Sequence, residues 1–222
     1  MHVPVVILAS SHKNGGVCLA GKRLDGAART WIRPVSSLAG QSWSRRGLQY
    51  VAGGIPRPGD CLGLPLVGAC PDGHQRENVG VRFQPWTRQG RFNAAELDQF
   101  LDTPESLWPD GWHSIHGWND RVPVHVAVQN CDHSLLFVRP QALRFLASVE
   151  YGNLVARAEF VHGRRRHVLR VTDDDAAGRW LARLADGHDG RSDALLCLSL
   201  SQPFNGFCYK LVAGVVEAGD QG

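Results

Sequence analysis

Residues 7–36, ILASSHKNGGVCLAGKRLDGAARTWIRPVS, set two apolar runs around a Ser-Ser-His-Lys-Asn-Gly-Gly loop and close a third run in Trp-Ile-Arg-Pro. An apolar run that breaks into small polar residues, turns on Gly15-Gly16 and restarts at Val17 has the outline of a β-hairpin. Thr30 to Val35 reads as a third strand. Side chains of an extended chain alternate between faces, so Trp31 and Arg33 share one face of that strand. An aromatic ring beside a guanidinium is what single-strand binding uses, the first to stack a base and the second to hold phosphate. Lys13 stands at the hairpin loop as a second candidate for the same anion. The loop is no P-loop, because the G-x-x-x-x-G-K-[ST] pattern is absent and a strand, not a helix, follows it.

Outward from this unit the chain stays strand-rich. Gly40 to Pro58 reads as a long surface loop, Cys61 to Val67 and Val79 to Phe83 as strands, and Cys70 to Asn78 as a polar turn between them. Asn93 can cap a short helix in which Leu97, Phe100 and Leu101 share a face. Residues 103–123 carry three tryptophans without a regular period and read as a packed irregular connection. Val124 to Val128 and Ser134 to Val138 are expected strands, and Pro140 is expected to open a short helix through Ala147. Leu154 to Val161 and His167 to Thr172 form a hairpin around a basic turn. Thr172-Asp173-Asp174-Asp175 caps a helix to Leu184, and two strands, Leu195 to Leu200 and Phe207 to Val216, end the chain.

With 222 residues, 43% hydrophobic and 20% charged, the chain can bury a real core, so disorder and a membrane protein are disfavoured. The 25 glycines and 12 prolines are spread throughout, which favours many short strands. No β-α-β alternation recurs, which argues against Rossmann and TIM architectures. The expectation is a mainly β chain with a few short helices, built as two small barrels or a composite of two sheets. The six cysteines form no C-x-x-C pair and several sit in apolar runs, the usage of a reducing compartment. The N-terminus lacks a basic n-region, so a cytoplasmic protein without a membrane segment is expected.

A net charge of +3 is small for a dedicated nucleic-acid domain, yet 21 of the 24 basic residues are arginines. Ten histidines raise the question of zinc, but no pair of Cys/His pairs has finger-like spacing, so no metal and no cofactor are expected. Ser11 and His12 are adjacent, point to opposite sides of a strand and make no nucleophile-base pair. Ser11, Gln75 and Asn78 are candidates for polar contacts, Arg165 in the basic turn for phosphate. Tyr209 and Lys210 interrupt an apolar final strand; Tyr209 could stack a base and Lys210 could hold phosphate, closing the Trp31 and Arg33 face from the far end of the chain.

ILASSHKNGGVCLAGK with TWIRPVS, HQREN ending at Asn78, NDRV at Asn119 to Val122, and SLSQPFNGFCYKLVAGVV together resemble the dual OB-containing domain family of prokaryotes, often encoded near defence or mobile-element genes. Lys13, Gly16, Trp31, Arg33, Pro34, Tyr209 and Lys210 match its pattern; His12 stands where similar sequences often carry Arg. The resemblance implies two OB-like barrels packed together, the first over 1–125 with inserted loops and a short helix, the second over 126–222 with one helix. It also implies a nucleic-acid-binding or nucleotide-binding module with a single-stranded ligand on an OB face, more a binder than an enzyme. A small-nucleotide sensor or adaptor acting through a protein partner, and a nucleic-acid-processing enzyme, are the rival functions.

Overall fold

Val17, Leu19 and Ile32 face a common core while Cys18, Lys22 and Trp31 fall on the opposite side, and this alternation curls the opening strands into a barrel. The computed structural model describes residues 2–13, 16–36, 43–44, 54–82 and 84–218, without the side chains of His12, Lys13 and Ser44. Strands β1 (Val3–Lys13), β2 (Gly16–Arg23) and β3 (Trp31–Ser36) form an antiparallel meander. A two-residue strand β4 (Trp43–Ser44) pairs with β2. Next come β5 (Asp60–Leu64) and β6 (Leu66–Ala69), separated only by Pro65, and then β7 (Asn78–Val81) and β8 (Thr87–Arg91).

Proline has no N–H to give a ladder, and Pro65 splits what would otherwise be one strand. Its first half, β5, pairs with β1, while its second half, β6, pairs with β7, which runs parallel to β3. The ring therefore closes in the order β1, β2, β3, β7, β6/β5 and back to β1. That is the five-stranded Greek-key barrel of an OB-fold. Val5, Ile7, Leu62, Leu64, Val81 and Trp86 complete its core, and β8 lies outside on β5.

Gly21 pairs with Ile7 of β1, and a Cβ there would collide with the Val6 carbonyl oxygen. Gly21→Ala is expected to cost about 1–3 kcal/mol by overpacking, read as a lower urea midpoint with an unchanged slope.

The second unit runs from Leu101 to Ala218. It contains β9 (Arg121–Pro123), α1 (Val124–Asn130), β10 (Leu135–Val138), β11 (Gln141–Glu150), β12 (Asn153–His162), β13 (Arg165–Val171), α2 (Asp174–Ala185), β14 (Leu195–Leu200) and β15 (Phe207–Val216). Its meander β11-β12-β13 is followed by a helix, α2, and an antiparallel pair in which β15 runs parallel to β13. Residues ahead of β14 return to the first strand of the meander, with Phe145 N–H donating to Gly190 O at 2.8 Å and Ser192 N–H to Leu143 O at 3.2 Å. The order is again that of an OB barrel. Asp173 caps α2 through the Ala176 N–H, and Trp180 of the helix stacks on Phe145 at 4.3 Å.

Three expectations change. The divide falls after Phe100, not at 125, because Leu107 and Trp108 of the tryptophan-rich stretch belong to the second core. Val124 to Val128 is helical: a short apolar run without charge reads equally as strand or helix, and Pro123 opens the turn. Residues 141–147 are strand, not helix. Leu143 and Phe145 alternate inward, but an irregular register between Gln141 and Arg144, with Ala142 at φ 51°, breaks the period in sequence. Asn93 does cap, exchanging hydrogen bonds with Glu96, though only a 3₁₀ turn follows, Glu96–Phe100. Among the described residues no helix is long and apolar enough to cross a membrane.

Candidate functional site

In an OB barrel the outer face of the second and third strands, with the loops joining strands one to two and four to five, is where ligands sit. In the first unit those elements are β2, β3, the loop after Lys13 and the loop Cys70–Glu77. Lys22 and Trp31 are register partners on the outer face, with Lys22 Nζ 4.9 Å from the indole centroid. Lys22 is buried nonetheless, its Nζ donating to Phe100 O at 2.7 Å. Two residues on, Arg33 lies on the same face. Ser11 pairs with Cys18 and extends that face onto β1.

Arg33 also pairs in register with Asn78 at the start of β7, its N–H donating to Glu77 O at 2.8 Å. Its guanidinium reaches Glu77 Oε1 at 3.4 Å, an ion pair shielded from solvent on both sides. Asn78 is 1% exposed and its Oδ1 accepts no hydrogen bond among the described residues. The loop before it folds tightly, as Asp72 and Gln75 exchange backbone hydrogen bonds at 3.2 and 2.9 Å and bury His74 and Gln75. One barrel thus assembles Ser11, Trp31, Arg33, Gln75 and Asn78. Lys13 ends β1 opposite Gly16. Asn14, Gly15 and the Lys13 side chain lie outside the described residues.

A family model for the dual OB-containing domain matches residues 3–215. The chain belongs to that family. No curated protein and no solved structure matches it.

The remaining candidates of this dual OB-containing chain fall in its second barrel. Lys210 alternates with Cys208 and Val212, both core residues, so it points inward. It is 1% exposed, and its Nζ donates to Asp110 Oδ1 at 2.7 Å and to Trp108 O at 3.3 Å. Burial lowers its amine pKa and Asp110 opposes that. An ammonium so enclosed has no open side for phosphate, which corrects the role expected for Lys210. Tyr209, on the other side of β15, pairs with Arg121 and has its ring 6.3 Å from Phe204. Arg165, mostly exposed beside the β12–β13 turn, reaches Asp110 Oδ2 at 3.3 Å.

Glu77 and Asp110 carry the ion pairs of both sites; the sequence offers Glu77 only as one of a run of polar side chains and gives no sign of Asp110. Each lies in a polar stretch and finds its cation 44 and 100 residues away. At Cys131 and Cys208 thiol chemistry is disfavoured, since burial pushes the Cys208 pKa up to about 11 and that of Cys131 up as well. Among the described residues no three His, Cys, Asp or Glu side chains group to hold a metal.

Proposed function

We propose that the first barrel holds single-stranded nucleic acid on the outer face of β2 and β3, as a binding module without catalysis. The observation that carries this is the register that puts Ser11, Trp31, Arg33 and Asn78 on one barrel face. Trp31 stacks a base, Arg33 meets phosphate with Glu77 fixing its orientation, Lys13 adds charge at the rim, and Asn78 and Gln75, both buried, back the face from within the barrel wall. Fluorescence anisotropy with labelled single-stranded DNA and RNA tests it. Binding is expected at low salt and falls as salt rises. Trp31→Ala is expected to cost about 1–3 kcal/mol, and Arg33→Ala to lower the salt slope by about 1. Absence of binding at low salt sinks the polymer.

The charge of +3 and the carboxylate beside Arg33 favour a second reading, a sensor for a small nucleotide acting through a protein partner. Stabilisation by a mononucleotide in a thermal-shift screen, without polymer binding, selects it.

A further inference from the structure

The matching face of the second barrel is covered by the chain itself. Val155, Arg157 and Val168 lie on the outer side of β12 and β13 yet are buried. Residues 111–120 cross them: Trp118 exchanges backbone hydrogen bonds with Val168 at 3.2 and 2.9 Å, Asn119 Nδ2 donates to Arg166 O at 2.9 Å, and Asp120 faces Arg157 at 3.8 Å. Three further bonds brace the segment internally. Gly111 N–H donates to Asn119 Oδ1, Ser114 N–H to Asp120 Oδ1 and Asn119 N–H to His113 Nδ1, at 2.7–2.9 Å. A ligand cannot reach bare strands here. It meets what the segment displays.

What it displays is aromatic and basic. Trp118 is 44% exposed and is stacked by His113 at 4.1 Å with the Arg166 guanidinium 5.7 Å from its ring. His116 touches Tyr151, which is 86% exposed. Arg166 and Arg170, on the outer side of β13, pair with Glu159 and Glu150, but the guanidiniums are roughly half exposed while the carboxylates are largely buried, so the solvent side is cationic. One carboxylate occupies only part of the five-donor fork of an arginine. Arg164, exposed in the turn, extends this line. From the Tyr151 turn to the Arg164 turn β12 runs ten residues, about 30 Å.

Tyr151 gives an independent sign. Tyr151-Gly152 is a two-residue hairpin loop with φ of 50° and 79°, a geometry that favours Asn-Gly. The chain uses Asn-Gly at the equivalent turn, Asn205-Gly206, at 48° and 81°. A tyrosine at a left-handed position with its ring in solvent serves neither the turn nor the core.

We infer that a single strand crosses the second barrel on top of residues 111–120, with Tyr151 and Trp118 stacking bases and Arg164, Arg166 and Arg170 holding phosphates. The ligand class rests on the function proposed above; the site is separate. Tyr151→Asn gives the turn its favoured residue, so its melting temperature is expected at or above wild type while affinity for a labelled thymidine oligonucleotide of about 20 nucleotides falls at least roughly fivefold. Trp118→Ala lowers affinity similarly, and photo-cross-links from 5-iodouracil in the same strand map to peptides containing Tyr151 or Trp118. Unchanged affinity of Tyr151→Asn alongside lost affinity of Arg33→Ala, or cross-links confined to residues before Leu101, overturns this site and leaves the first barrel as the binder. No binding by wild type overturns both.

Discussion

Replacing Asp110 with alanine is expected to destabilise the second barrel by about 3–5 kcal/mol, the range for breaking a buried ion pair from one side. The ammonium of Lys210 would keep the Trp108 carbonyl but lose its counter-charge inside the core. It must then stay charged and unpaired or give up its proton, and both cost free energy relative to the intact pair. The reverse change is milder. Lys210→Met leaves Asp110 with the Arg165 guanidinium at 3.3 Å on its outer side, and a methionine suits the apolar neighbours Cys208 and Val212. Urea unfolding of the single and double variants decides it: Asp110→Ala should be the most damaging, and Lys210→Met should recover much of that loss in the double variant. An Asp110→Ala midpoint within error of wild type would show that the pair is not holding the core. Any domain with a net stability of about 5–15 kcal/mol would be brought near its limit by such a loss.

Much of the fold was legible because it is local. The β1–β2 hairpin, the β12–β13 hairpin and the Asp173-capped helix each announce themselves within about 20 residues, through alternation, glycine turns or a cap. What escaped is set by contacts distant in sequence. Pro65 looks like a break between strands, whereas it lets one run serve two partners on opposite sides of the barrel seam. Residues 103–123 read as a packed irregular connection, yet Leu107 and Trp108, with Trp112 packed against them, belong to a core whose other members lie beyond residue 120. The site divided in the same way. Trp31 and Arg33 could be placed on one face by alternation alone, while the pairing of Arg33 with Asn78 needed the parallel contact of β3 and β7. Lys210 was visible as an anomaly in an apolar strand. Its explanation, a carboxylate 100 residues earlier, was not.

The same buried group makes stability fall with acid. His167 is fully buried, stacks on Phe160 at 5.4 Å and has Asp110 Oδ1 4.0 Å from its Nδ1. Burial and then the Lys210 ammonium hold its pKa down at about 4, against Asp110 and the Asn119 backbone, with His162 a further lowering charge. The unfolded chain, with an imidazole near 6.5, binds more protons than the folded one between those values. Stability from this group is therefore whole above pH 6.5 and is lost as pH falls toward 4, by about 3 kcal/mol in all. Carboxylate ion pairs also weaken in acid, so the comparison that isolates His167 is with His167→Phe, whose ring can keep the stack on Phe160. Melting temperatures of the two proteins are expected to draw together, or cross, between pH 7 and pH 4.5, because wild type alone must expel a proton to stay folded. Parallel curves over that range would mean that the imidazole is protonated in the folded barrel, with Asp110 outweighing burial and Lys210.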